Sequence, residues 1–316
     1  MRLVRIALAS GLILAGALAT APALAQQPAP GRRTVEPPAC RELERQLAPN
    51  EAAAGSLALN VALVASADKG CLTLAQRLLD AGASLASRDR LGAMPLAHAA
   101  RAGHRPLVEL FLAAGAAIDA RNLVGATALY AAAENDRKPI VALLLAKGAD
   151  PNLPGRSEVP PLAAAAYKGN DTIVAELLTH GAAPDAEDGT GKTPIVYAAA
   201  RGFTPVVRRL LAAGVDPKRA YGNDLTALMW AAGYEDGFGE RDALDVVALL
   251  LGAGAPIDAA DNRGRTALMI AAERGHAAIV DALLARGADR GLKDKAGLRA
   301  ADLAANGDLR ATLAAK

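Results

Sequence analysis

The sequence predicts an all-α solenoid of helix-turn-helix repeats joined by short hairpin-like turns. Three observations carry that reading. A Gly-Ala or Gly-Val pair recurs at Gly82, Gly115, Gly148, Gly181, Gly214, Gly254 and Gly287, at intervals of 33 residues with one of 40. A Leu-Leu or Phe-Leu pair precedes each of these glycines at constant spacing, from Leu78-Leu79 to Leu283-Leu284. Hydrophobic residues make up 52% of the chain but aromatics only 3%, so the core must be built from small, closely spaced elements. Strand-rich folds carry more β-branched and aromatic residues.

The N-terminal segment reads as a targeting sequence. Arg2 and Arg5 form a positive region, Ile6 to Leu18 is an apolar run, and Ala23-Leu24-Ala25 is an A-x-A cleavage site. A bilayer core of about 30 Å needs about 20 apolar residues, more than this run offers. Residues 1–25 are therefore expected to be a cleaved signal peptide. The mature chain is expected to be bacterial, periplasmic or secreted, and without a membrane span. The chain carries 35 Lys and Arg against 33 Asp and Glu, so loss of Arg2 and Arg5 leaves 33 of each. That balance lacks the basic footprint that nucleic acid requires, and no nucleic-acid partner is expected.

Residues 26–38 are rich in Pro and Gln and read as disordered. Residues 39–48 read as a short helix, which completes a linker region over 26–55. An exported chain with two cysteines, Cys40 and Cys71, permits one intramolecular disulfide. It would pin the short helix to the first repeat; two unpaired thiols are the alternative.

From residue 56 the repeats follow in constant register. Each helix pair opens on a three-residue motif: Met94-Pro95-Leu96, Thr127-Ala128-Leu129, Pro160-Pro161-Leu162, Thr193-Pro194-Ile195, Thr226-Ala227-Leu228 and Thr266-Ala267-Leu268. An Ala-Ala pair comes two residues after each motif and lets neighbouring helices approach closely. Thr193 is placed to cap a helix with its hydroxyl, and Pro194 sits where a missing N–H costs nothing. Val206, Val207, Leu210 and Leu211 form an apolar helical face. Gly214 suits the left-handed backbone at a helix end, and Asp188 with Gly191 suits a turn. This period and motif resemble the ankyrin repeat over roughly residues 56–316. The resemblance implies a solenoid of about eight units including caps, with residues 56–86 as the first unit and 294–316 as a short last one. It also implies a role in binding another protein through the concave side.

The pattern departs from the family in three places. The usual His of the motif is replaced by Ala97, Tyr130, Ala163, Val196, Met229 and Met269. The turn Leu153 to Pro160 is proline-rich and lacks the Asp and Gly of its counterparts. Seven extra residues fall within Gly233 to Asp245 of the sixth repeat.

Candidate binding residues are those that the repeat frees from packing. At the turn tips these are Arg90, Leu91, Leu123 and Val124; on the groove they are Arg101, Glu134, Tyr167, Lys168, Arg201, Tyr234, Glu273 and Arg274. The insertion adds Phe238 beside Tyr234, aromatics expected on an exposed, flexible loop. His98, Tyr197 and Trp230 share a register in which core filling is expected and a ligand-binding aromatic row is the alternative. The insertion's acidic residues lack the spacing of a calcium loop, so no metal site is expected. No GxSxG, HExxH, P-loop or GxGxxG arrangement is present. The predicted function is therefore a non-enzymatic, monomeric protein-binding scaffold without a cofactor. The alternatives are an inhibitor or immunity-type protein that neutralises an exported enzyme or toxin, and a metal-binding protein or enzyme using residues 233–245.

Overall fold

A computed structural model describes residues 37–47, 55–234, 237 and 239–314. The expected leader, its cleavage site, the Pro- and Gln-rich stretch up to residue 36, and Phe238 lie outside the described residues. The described residues belong to one compact unit. It opens on α1 (Pro38–Leu47). Eight helix pairs follow: α2 (Ser56–Lys69) and α3 (Leu72–Asp80), α4 (Pro95–Ala102) and α5 (Arg105–Ala113), α6 (Ala128–Glu134) and α7 (Lys138–Ala146), α8 (Pro161–Tyr167) and α9 (Asp171–Thr179). The array continues with α10 (Pro194–Ala200) and α11 (Thr204–Ala212), α12 (Ala227–Ala232) and α13 (Glu240–Gly252), α14 (Ala267–Arg274) and α15 (Ala277–Ala285), α16 (Ala300–Leu303) and α17 (Gly307–Ala314). First helices stack on first helices from α2 to α16, and second helices on second helices from α3 to α15. Among the described residues no helix is long and apolar enough to cross a membrane.

The small-residue logic holds throughout. Both alanines of every Ala-Ala pair, from Ala99-Ala100 to Ala271-Ala272, are fully buried between stacked first helices. Val206, Val207 and Leu210 are likewise at 0% exposure, whereas Leu211 is only half-buried. Gly214 adopts φ 94°, in the left-handed region, where a side chain would be strained. The hydroxyls of Thr127, Thr226 and Thr266 cap α6, α12 and α14, accepting from Tyr130, Met229 and Met269 N–H groups. Thr193 occupies the same capping position without receiving that bond, a correction to the sequence reading. Its buried hydroxyl makes no hydrogen bond of ordinary geometry among the described residues.

Cys40 and Cys71 form the expected disulfide, with Cα atoms 5.4 Å apart. Both are fully buried, and the bridge fixes α1 against the first helix pair. The insertion differs from expectation. The other second helices of the array are mostly nine residues long, and α13 has thirteen. Part of the added sequence therefore extends a helix rather than forming a loop.

Candidate functional site

The turns between repeats project from the start of each first helix. Five of them are built by an Asx side chain at their head. Asp89 Oδ1 accepts from the N–H groups of Leu91 and Ala93, both at 2.8 Å. Asn122, Asp188, Asp261 and Asp294 do the same in their own turns. These carboxylates and amides supply the turn bonds for which the replaced motif histidine is not needed. Two turns lack the Asx-Gly frame. Ser157 with Glu158 and Asn223 with Asp224 take positive φ at adjacent residues, from 55° to 64°. That is the geometry of a tight hairpin turn. At the second, β1 (Ala220–Tyr221) pairs antiparallel with β2 (Leu225–Thr226).

Neighbouring tips are tied together. Leu123 N–H donates to Leu91 O at 3.0 Å, Gly189 N–H to Ser157 O at 2.9 Å, and Lys295 N–H to Arg263 O at 2.9 Å. Arg88 and Arg121 each donate to the carbonyl of their own turn glycine and to a carbonyl 33 residues on. The tips are thus held at a fixed spacing along the array. Leu91 is 64% exposed, Leu123 77% and Val124 45%, so the neighbouring repeat does not cover them. Arg90 beside them is also exposed.

His98 and Tyr197 depart from the expectation of core filling: both are half-buried and line the clefts beside the tips, whereas half-buried Trp230 packs against the core as expected. His98 Nε2 lies 3.0 Å from Asp89 Oδ2, and the Tyr197 hydroxyl donates to Asp188. Each ring therefore braces the turn of its own repeat. Ala131 and Ala164 occupy the same register between His98 and Tyr197, and their small side chains leave a depression there.

That depression is the floor of two clefts. One of about 410 Å³ brings together Leu91, Arg101, Val124 and Glu134 with His98 and Tyr130. The next, of about 270 Å³, brings together Glu134, Tyr167 and Lys168 with Tyr130, Tyr197 and Arg156. A third, of about 200 Å³, joins Glu273 and Arg274 to Trp230. A larger cleft of about 630 Å³ lies between second helices α11 and α13. It contains none of the candidate protein-binding residues, although Asp242 and Asp245 of the insertion line it, and its Arg209 is already bound to Asp171 at 2.6 Å.

Several predicted side chains are engaged with their own fold. Arg101 pairs with Asp68 at 2.6 Å, and Glu273 pairs with Arg265. Arg201 lies 4.0 Å over the Tyr167 ring and donates to the Tyr167 carbonyl. Tyr167 in turn meets Tyr197 edge-on at 5.7 Å. Tyr234 does not project from an exposed loop as expected. It is half-buried and stacks on buried His276 at 4.0 Å, while His276 Nδ1 contacts the Ala232 carbonyl at 2.9 Å. Sequence reasoning also missed Tyr130, Arg156 and Lys192. The repeat register offers the signal for Lys192, which stands one residue past the turn glycine and beside the groove row.

Electrostatics make the tyrosines walls rather than acids or bases. Burial and the adjacent Glu134 carboxylate push the Tyr130 phenol up to about 12. Burial and Asp188 push Tyr197 up as well. Burial works against the Asp89 carboxylate, but N–H bonds from Ala93 and Leu91 with His98 hold it below the usual range. The framework thus keeps neutral hydroxyls and charged turn acids at neutral pH.

Family models described as ankyrin repeats match the chain along most of this array. A three-copy model covers residues 62–154 and 162–239, a many-copy model 249–304, and a single-repeat model 223–262. A comparison with curated proteins returned no match. Ankyrin-repeat proteins are generally binding scaffolds rather than enzymes. With more than half of its residues matched, and with helix pairs stacked in the register the motifs require, the chain belongs to the ankyrin-repeat family.

Proposed function

We propose that this chain is an exported, monomeric scaffold that binds a partner protein through its first-helix face and turn tips. The observation that carries the reading is the uncovered apolar edge of Leu91, Leu123 and Val124 beside clefts lined by charged and aromatic side chains. Contiguous exposed apolar surface next to polar groups marks interaction sites. The Cys40–Cys71 bridge supports an oxidising compartment, such as the periplasm.

One experiment tests both parts. A C-terminally tagged chain is recovered from the cell envelope after crosslinking, alongside a Leu123→Asp variant. The recovered chain should begin at Gln26 by intact mass, and a partner held by the wild type should be lost from the variant. A chain that still begins at Met1 would contradict export, and a partner retained by Leu123→Asp would contradict the binding edge.

A further inference from the structure

We infer that the middle of this face accepts an acidic, extended segment of the partner, with carboxylates seated between Arg156 and Lys168. The inference rests on the proposed binding face and adds the chemistry of what binds there. Arg156 and Lys168 stand at the rim of the second cleft, and both are exposed. Neither forms an ion pair among the described residues, unlike Arg101 and Arg209 elsewhere in the array. Lys192 lies one repeat further on, 5.8 Å above the Tyr197 ring and 5.2 Å above Trp230.

The cleft's lining residues carry two cations, Arg156 and Lys168, against one carboxylate, Glu134, which accepts a hydrogen bond from the Tyr130 hydroxyl at 3.4 Å. Asp188 is buried and spent on Tyr197 and its own turn. A cationic ligand is disfavoured for a second reason. The ring faces that would attract it already carry Lys168 and Arg201 over Tyr167, and Lys192 over Tyr197. What remains is an excess of positive charge, two cations to one carboxylate, beside an aromatic-walled depression. That suits an acidic side chain at the rim with a small apolar neighbour over Ala164. The chain as a whole is close to neutral, so the preference is local to this stretch. A peptide fits the walled depression better than a nucleic-acid backbone, which requires a longer basic track.

The test uses short random peptides displayed on phage and panned on the purified full chain. Enriched peptides are then synthesised and their affinities measured for wild type, Lys168→Glu, Arg156→Glu, Tyr167→Ala and outer-face Arg208→Glu, with thermal midpoints for each. The inference predicts enrichment of net acidic peptides and weakening by about tenfold or more in Lys168→Glu and Arg156→Glu. Arg208→Glu should bind as wild type does, and added salt should weaken binding. Neutral or basic peptides that still lose affinity in Tyr167→Ala would overturn the acidic preference and leave the binding face intact. Acidic peptides indifferent to the Lys168, Arg156 and Tyr167 changes would overturn both. Displacement by oligo-dT as effective as by acidic peptide, or no enrichment at all, would overturn the inference.

Discussion

At Gly155 the constraint on a single residue is space rather than backbone conformation. A Cβ placed there would lie 2.5 Å from the Tyr130 ring. That ring is itself buried, packed with Ala126, Ala164 and Val159 into a small cluster apart from the main core. Gly155→Ala should therefore displace either the tip or the ring, at a cost of about 1–3 kcal/mol. A lowered thermal midpoint checks this; an unchanged one would mean that the tip moves freely. The same residue scale shows what the sequence could and could not disclose. The buried alanine pairs and the left-handed Gly214 were legible because a fixed period assigns them one role in every repeat. The groove position of His98 and Tyr197 was not, because periodicity identifies equivalent slots without saying which solvent each slot meets. Thr193 was misread for a related reason. A capping residue is visible in sequence, but whether its buried hydroxyl meets the helix N–H is decided by packing that the sequence does not show.

At the scale of elements, α1 is held by one covalent link, packing on α2 and an ion pair from Arg77 of α3 to Glu44 at 3.2 Å. Closing a loop with a sequence separation of 31 stabilises by about 3–4 kcal/mol in the chain-entropy description. Cys71→Ser should release α1 and weaken α2 and α3 while leaving α13 to α15 protected, because repeats couple mainly to their neighbours. Hydrogen exchange resolved along the chain reads this directly, and equal loss of protection at both ends would contradict it. Ion pairs between elements give a second expectation. The Arg209 guanidinium on α11 holds the Asp171 carboxyl on α9 below the usual carboxylate range. Burial opposes the same effect at Asp68, where Arg101 and His98 outweigh it. A depressed folded pKa adds stability that is present above the unfolded value of about 3.9 and is lost as pH falls through the lower folded value. The thermal midpoint should thus hold from neutrality to about pH 5 and decline below about pH 4. Asp171→Asn should reduce part of that decline, whereas an identical acid profile would show that this pair contributes nothing. Elements also mark where sequence reading stopped. The extra residues near 233–245 were evident as a break in period, but the period could not divide them between the segment after α12 and the added first turn of α13. The hairpin turns at Ser157-Glu158 and Asn223-Asp224 were hidden because they place positive φ on residues other than glycine.

For the whole molecule, the same regularity that makes the core predictable leaves a patterned surface. The tips are locked to one another by backbone bonds and by Arg88 and Arg121, so their exposed side chains form a fixed array. Leu91, Leu123 and Val124 lie along one stretch of that array, and Tyr167, Lys168 and Arg156 along the next. Leu91, Leu123 and Val124 are left largely exposed when the repeats stack, whereas Tyr167 also meets Tyr197 and Arg201 of the next repeat. The central claim is therefore best tested by measuring partner affinity and thermal midpoint together in Leu123→Asp, Tyr167→Ala and outer-face Arg208→Glu. The account predicts that the first two lose about 2 kcal/mol or more of binding, as truncation of an interface hot spot does, Leu123→Asp with little change in midpoint and Tyr167→Ala by more than its midpoint explains, while Arg208→Glu keeps its affinity. Loss of affinity in Arg208→Glu with retention in the other two, or losses that follow the midpoints throughout, would contradict it.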